Sequence, residues 1–538
     1  MSPGAESRGA EMQNVEAIFS AVNETVEAER REYATDTKPE PTPAPEPEPE
    51  PDAEPEAATQ KADVLGALRR NEDGDAELFI QLHRERFLYD HAAGSWHVWA
   101  GHYWKPDTRE EALAGVVKVA DVYLAEMKRQ AWARIKAEKA GQTKAADTAK
   151  VLEDAFGRRV RDLQTIRRKQ AVLHLARAGA DSLGITGDEW DANPWALPVL
   201  NGIIDLRTGE HRPGKPSDYF KSYAPTPWEG METEAPTWEA FLQSTFANDI
   251  ELISFLSRLM GYATTGQTTE AILPILHGAG GNGKTVFLQT IADTLGPELS
   301  GPVEAELLLE NRFHKLSGGP SSDLIHLRGR RLTWLSETNE NRRLNAGKAK
   351  LLTGADYITG RAPHAVRQIT FKPTHKIFLL TNHRPKVDAQ DAALWRRVLL
   401  IPFELSFVVN PTKPNERKAD LNLAEKLRAE RPGILAWLVK GCLEWQRQGM
   451  NPPESVLAAT AAYRDAEDTI KTFLVERCIE DKTLRVRAGV LYAAFKAWAE
   501  GNGERQTTGT KFGRYIGERF DSSKDEGGKF YIGLGLIS

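Results

Sequence analysis

Short apolar runs, each bounded by glycine, proline or charged residues, recur through the middle of the chain. Ala271–His277, Arg331–Glu337, His375–Asn382 and the stretch ending at Phe403 have the length and continuous hydrophobicity of strands buried on both faces of a parallel sheet. Around them the period changes. Residues 237–264 place Phe241, Leu252, Phe255, Leu259 and Met260 on one helical face, and Val286–Leu295 also reads as helix. Glu110–Ala180 is alanine-rich, charged and helical in period, and residues 421–466 read as helices that would close the preceding domain as a lid. Two hairpins precede the strands. Ser95–Trp104 turns at Ala100-Gly101, and Asn201–Pro213 turns at Arg207-Thr208-Gly209. The first carries Trp96, Trp99, Tyr103 and Trp104. Such residues more often fill a small core, although bases of a nucleic acid also stack on them.

Length and composition bound this picture. At 538 residues the chain has room for three or four domains, and 41% hydrophobic with 27% charged residues is ordinary for a globular protein. The sequence has no apolar run long enough to span a bilayer and no basic, apolar leader, and its two cysteines, Cys442 and Cys478, lie far apart. A disulfide framework and a cysteine-based zinc site are excluded as organising features, and a cytoplasmic setting is expected. The net charge of −6 hides an asymmetry: residues 1–60 hold 15 acids and 4 bases, while the remainder is mildly basic. Within that tail, residues 39–56 alternate proline with acid, the composition of an extended, solvated linker. Residues 11–33 read as disordered or as a short acidic helix. The expected division is a disordered tail (1–60), an N-terminal α+β domain (61–235), an α/β domain with a parallel sheet (236–468) and a winged helix (469–538). In the last, helices at Ala488–Glu500 and Lys511–Phe520 precede a wing strand, Lys529–Ile537. Lys511, Arg514 and Arg519 fall on the helix that would meet duplex DNA, although this fold also serves in protein docking.

The strongest local signal follows the first strand. Gly278-Ala279-Gly280-Gly281-Asn282-Gly283-Lys284-Thr285 is G-x-x-x-x-G-K-[ST] in strand–loop–helix context, with Val286 opening the helix. A loop that wraps its N–H groups around a phosphate must be nearly free of side chains, and the helix behind it turns its positive end to the anion. Lys284 would neutralise the β and γ oxygens of ATP, and Thr285 would ligate Mg²⁺. Glu337, at the carboxyl end of its strand, is placed to polarise the attacking water and to support the metal, with Glu340 as a second candidate. Asn382 ends the next strand and would orient the water or sense the γ-phosphate. Arg396 and Arg397 precede the last strand; one is expected to contact phosphate and the other to pair structurally. Between the second and third strands, Arg361, His364, Arg367 and Lys372 surround a hairpin suited to a nucleic-acid backbone, or simply to water. Asp73-Gly-Asp75 has the spacing of a metal pair but a polar setting, and is read as surface.

Five segments, GAGGNGKT (278–285), RLTWLSETNE (331–340), KLLTGADYITGR (350–361), FLLTNHRP (378–385) and ALWRRVLLIPF (393–403), together resemble a superfamily 3 helicase domain. The match is closer to the helicase half of the phage/plasmid primase family, related to poxvirus-type primase–helicases. NPWALPVLNGIIDLRTGEHRP (193–213) is similar to the segment that precedes the ATPase in that family. The resemblance implies an AAA+-like core, a homo-hexameric ring around single-stranded or forked DNA, 3′–5′ translocation, and Arg397 as the arginine reaching a neighbour's site. Ser336 stands where many members carry a second acid. The larger members also carry a primase domain. This sequence has no convincing paired-aspartate strand with a distal histidine, so primer synthesis is not expected from this chain alone; a separate primase is one candidate partner, and the helicase part of a primase–helicase is an alternative reading. The expected setting is the bacterial host of a phage or mobile element. The rival readings are a DNA-dependent ATPase that remodels proteins and an origin-binding module switched by ATP.

Overall fold

A computed structural model describes residues 63–310, 322–337, 342–361, 368–504 and 506–537. The acidic tail and the expectation of a helix within it lie outside the described residues. The chain divides into two compact units, one ending at Glu189 and one beginning at Trp190, with residues 101–104 grouped in the second.

In the first unit, helices α1 (Val64–Arg69) and α2 (Asn71–His83) precede strands β1 (Phe87–Asp90), β2 (Ser95–Trp99) and β3 (Trp104–Pro106). Helices α3 (Glu111–Gly115), α4 (Val117–Lys139), α5 (Thr143–Leu163) and α6 (Ile166–Ala176) and the short strand β4 (Gly184–Ile185) complete it. The strand order is β3-β2-β1-β4. Trp96 packs against the buried cluster of this unit, and Trp104 is buried. The surface reading of Asp73-Gly-Asp75 is corrected. These residues lie on α2, and Asp75 is fully buried. Its carboxylate accepts from Tyr123 (2.8 Å), Arg159 (2.6 Å) and Arg168 (2.6 and 2.8 Å). A buried carboxylate requires such partners, because desolvation without them is too costly.

The second unit begins with a three-stranded antiparallel sheet, β5 (Ala196–Val199), β6 (Gly202–Asp205) and β7 (Glu210–Arg212), including the expected hairpin. Leu197, Val199, Ile204 and Leu206 belong to the same buried cluster as Phe255, Leu259 and Leu276. Residues 190–235 therefore group with the parallel-sheet domain rather than with the N-terminal unit. The expected long helix is two, α7 (Pro236–Thr245) and α8 (Ile250–Thr264), separated where Ala247 and Asn248 adopt positive φ and Asp249 caps α8.

Next come β8 (Leu273–His277), α9 (Lys284–Leu295), β9 (Ser300–Pro302), α10 (Ser322–Ile325), β10 (Leu332–Glu337), α11 (Ala346–Leu352), the hairpin β11 (Ile358–Gly360) and β12 (Ile369–Phe371), and β13 (Lys376–Thr381). After them lie α12 (Ala392–Trp395), β14 (Val398–Pro402), β15 (Ser406–Val408), β16 (Glu416–Lys418), α13 (Leu423–Ala429), α14 (Arg431–Gln448) and α15 (Glu454–Ala466). The central sheet is parallel, in the order β14-β8-β13-β10-β9. Alternate residues feed two cores: Leu276, Phe378, Leu380 and Ile401 on one face, Ile275, Ile377, Leu379 and Leu400 on the other. Burial on both faces explains the uninterrupted apolar runs.

The C-terminal elements are α16 (Thr469–Arg477), β17 (Cys478–Arg487), α17 (Ala488–Gly501), α18 (Gly509–Gly517), β18 (Ser522–Asp525) and β19 (Gly528–Leu536), with strand order β17-β19-β18. On α18, Arg514 is exposed, while Lys511 pairs with Asp388 and Tyr515 donates to Asp468 (2.7 Å). Among the described residues, no helix is long and apolar enough to cross a membrane.

Candidate functional site

The strand register builds the site. Thr381 is paired with His277 on one side and Glu337 on the other, so the carboxyl ends of β8, β13 and β10 share one row. In open α/β sheets ligands bind along this edge. From His277 the chain enters the glycine loop. A Cβ on Gly278 would lie 2.2 Å from the Phe403 carbonyl oxygen, so the chain can pass there only as glycine. Gly281 and Gly283 have φ of +72° and +84°, a region that side chains disfavour, and Gly283 is the N-cap residue that precedes α9. Gly280 has no such constraint from this chain, since nothing lies within 4 Å of an added Cβ.

Lys284 is the first residue of α9 and is buried. Its ammonium donates to the Gly278 carbonyl (2.6 Å), Asn282 Oδ1 (2.9 Å) and Asn382 Oδ1 (3.1 Å). All three acceptors are neutral, and burial lowers its pKa to about 8. Asn282 is itself fixed, its amide donating to the Phe403 carbonyl (3.0 Å). His277 is also shifted down, by burial and then by Arg384 and Lys284.

A cavity of about 580 Å³ opens over the loop. Lys284, Thr285, Ser336, Thr381 and Asn382 supply its polar side, the Asp420 carboxylate, paired with Lys426 (2.6 Å), also lines it, and Phe241, Phe407, Leu421 and Leu423 supply an apolar side. Phe407 is tied to the loop by its N–H, which donates to the Gly281 carbonyl (2.7 Å). The volume and the split lining suit a ligand with one anionic and one apolar end. Phe241 and Phe407 were not legible as site residues, because nothing local to either marks its approach to a loop far away in sequence. Thr285 is exposed beside Lys284, and Val286 lines the same cavity. Glu337 is placed here by its backbone only, and Glu340 lies outside the described residues. No group of three His, Cys, Asp or Glu side chains that could hold a metal occurs among the described residues.

The arginine pair lies at the opposite edge. Val398 is paired with Leu273, the first residue of β8, so Arg396 and Arg397 sit near the amino end of the sheet, a strand length of about 16 Å from the glycine loop. Arg396 is exposed; Arg397 is half-buried and donates to the Ala393 carbonyl (2.8 Å). The β11–β12 hairpin forms as expected, with Thr359 and Thr370 hydroxyls 2.9 Å apart. Arg361 and the exposed Lys372 follow its two strands, while His364 and Arg367 lie outside the described residues.

The fold and site thus define an α/β protein with a glycine-rich loop at the carboxyl edge of a five-stranded parallel sheet. Two family models match the sequence: "D5 N terminal like" over residues 76–247, and a family of unknown function (DUF5906) over residues 276–397. A protein of Acanthamoeba polyphaga mimivirus named "Putative helicase" is 28% identical over 58% of this chain and 34% of its own length. A "Putative helicase" of Frog virus 3 is 28% identical over 61% of this chain and 41% of its own. A "Putative primase" of African swine fever virus is 25% identical over 54% and 31%. The chain is thus similar to viral proteins named as helicases and primases, and it spans 31–41% of the length of these relatives. The apo structure of the NrS-1 C-terminal region aligns over 57% of this chain and 78% of its own at 12% identity with a TM-score of 0.34, a likeness too weak to build on.

Proposed function

We propose that this chain is an ATP-dependent DNA helicase of the superfamily 3, AAA+-like type, acting in replication of a phage or other mobile genome. The observation that carries the reading is the Lys284 cradle: a buried ammonium held by three neutral acceptors at the carboxyl edge of a parallel sheet. An ammonium so placed gains most from an arriving polyphosphate, which brings the negative charge its three acceptors lack. The loop N–H groups would hold the phosphates, Lys284 would neutralise the β and γ oxygens, and Thr285 would ligate Mg²⁺. Bound Mg²⁺ would offset the charge that develops on the leaving phosphate. Glu337 would take the proton of the attacking water, with Asn382 orienting that water. The apolar end, Phe241 and Phe407, would receive the base.

The arginine pair favours a ring, with six subunits as the family resemblance implies. It lies a strand length from this chain's own loop, so it would serve a neighbour's. The exposed Arg396 is the better placed of the two, since Arg397 is committed to Ala393. The β11–β12 hairpin, through Arg361, His364, Arg367 and Lys372, would contact single-stranded DNA in the channel, and residues 469–538 would act as a winged helix.

The test is strand displacement on a forked duplex with either 3′ or 5′ tail, beside ATP hydrolysis with and without single-stranded DNA. ATP-dependent, Lys284-dependent displacement from the 3′ tail is expected. DNA-stimulated hydrolysis without displacement would favour the remodelling ATPase.

A further inference from the structure

The N-terminal unit carries a cationic, aromatic face that neither the glycine loop nor the β11–β12 hairpin uses. Residues 117–176, covering α4, α5 and α6, hold 14 lysines and arginines against 7 aspartates and glutamates. On α4 many of the charges are balanced internally. Asp121 faces Lys118 (3.7 Å), Glu126 holds Arg129 (2.7 Å), and Arg134 is shared between Glu138 (2.9 Å) and Glu153 (2.8 Å). What remains is Lys128, Lys136 and Lys139, all exposed and without an ion-pair partner among the described residues.

These three lysines are not scattered. At about 100° per residue, positions 128, 132, 136 and 139 fall within one narrow stripe of the helix, about 16 Å long. Position 132 is tryptophan, 75% exposed, with Ile135, 38% exposed, beside it. A single exposed apolar side chain is ordinary. An indole one turn from a lysine on either side, on a stripe whose carboxylates are absent or engaged, is a specific combination. It offers a flat π surface for a base and ammonium groups for the phosphates flanking it. A duplex hides its base faces, so the fit is to an unpaired strand.

We infer that the Lys128–Trp132–Lys136–Lys139 face of α4 is a single-stranded DNA binding surface, separate from the β11–β12 hairpin. A strand contact on this unit would let the protein hold DNA independently of the nucleotide state of the sheet.

The full chain is titrated with a fluorescent oligo(dT) at several salt concentrations, and an iododeoxyuridine oligonucleotide is photocrosslinked and mapped by peptide mass. Trp132→Ala should weaken binding roughly 10- to 100-fold, as loss of one base stack does, and Trp132→Phe should restore most of it. Lys128→Glu with Lys136→Glu should lower the slope of log K against log salt by about 1.4, from two lost phosphate contacts. The crosslink should fall on the peptide containing Trp132, and ATP hydrolysis without DNA should not change. Unchanged affinity and slope in both variants, or a crosslink confined to residues 358–372, overturns the surface. DNA-stimulated hydrolysis by the wild type, read in parallel, shows whether the helicase reading survives that result.

Discussion

Lys284 Nζ donates to Asn382 Oδ1 across 3.1 Å, which ties the glycine loop to the carboxyl end of β13 before any ligand arrives. The bond holds the ammonium at the mouth of the cavity, and its lowered pKa, about 8, reflects burial among neutral acceptors. Lys284→Ala should cut the turnover number by at least about 10²-fold while the far-ultraviolet circular dichroism stays the same. In the wild type only the protonated lysine attracts phosphate. ATP affinity should therefore hold below pH 8 and weaken as pH rises above it, by up to about tenfold per unit. Affinity flat from pH 7 to pH 9.5 by calorimetry would contradict this.

Glu337 shares its row with Thr381 and His277. Glu337→Gln should leave ATP binding intact and slow hydrolysis by roughly 10²–10⁴-fold, so that nucleotide is retained through gel filtration. Normal hydrolysis by this variant would transfer the role to another carboxylate.

The arginines can be assigned by mixing. Lys284→Ala protomers lack a working loop but still present arginines; Arg396→Ala protomers do the reverse. Either alone should be nearly inactive, since an arginine at the transferring phosphate is worth about 10³–10⁵ in rate. Mixed assemblies should recover part of the activity. Mass spectrometry must show that mixed assemblies form, and silence in them would argue against a contact between subunits. The same experiment with Arg397→Ala separates the two residues.

His375, at the foot of β13, is buried beside Lys376, and burial lowers its pKa to about 4. A depressed folded-state value below an unfolded 6.5 means that its full contribution is present above pH 6.5. That contribution is lost progressively as pH falls towards 4, by roughly 3 kcal/mol in all. His375→Gln should flatten the fall in Tm between pH 7 and pH 4.5. A parallel fall in both proteins would assign the acid sensitivity elsewhere.

Asp75 balances two guanidinium groups in the N-terminal unit. Asp75→Asn keeps the shape and removes the charge, leaving Arg159 and Arg168 without their counter-ion, at a cost of about 3–5 kcal/mol. Urea denaturation followed by a probe in residues 63–189 should show the loss, and an unshifted midpoint would refute it.

The same aspartate shows where sequence reasoning stops. Its neighbours Glu72, Asp73 and Gly74 look like loop, and its partners lie 84 and 93 residues away, beyond any local pattern. The glycine loop and its strands were legible because their causes are local: positive φ demands glycine, and a doubly covered strand demands an unbroken apolar run. The split at Ala247-Asn248 was missed because both flanking segments keep helical period through it. The apolar side of the cavity was hidden for the opposite reason, since Phe241 and Phe407 meet only after the sheet is assembled.

Lys511, in the first turn of α18, is engaged by Asp388, in a segment that runs directly into α12 and the arginine pair. An ammonium cannot neutralise a carboxylate and a DNA phosphate at full strength together. A polyanion drawn to Lys511 would therefore compete with Asp388, and its affinity would be lowered by the cost of that exchange. Conversely, Asp388 once released is an uncompensated charge eight residues before Arg396. The ion pair thus links the first turn of α18 to the segment that leads into the arginines, and its half-exposed setting leaves it easily exchanged.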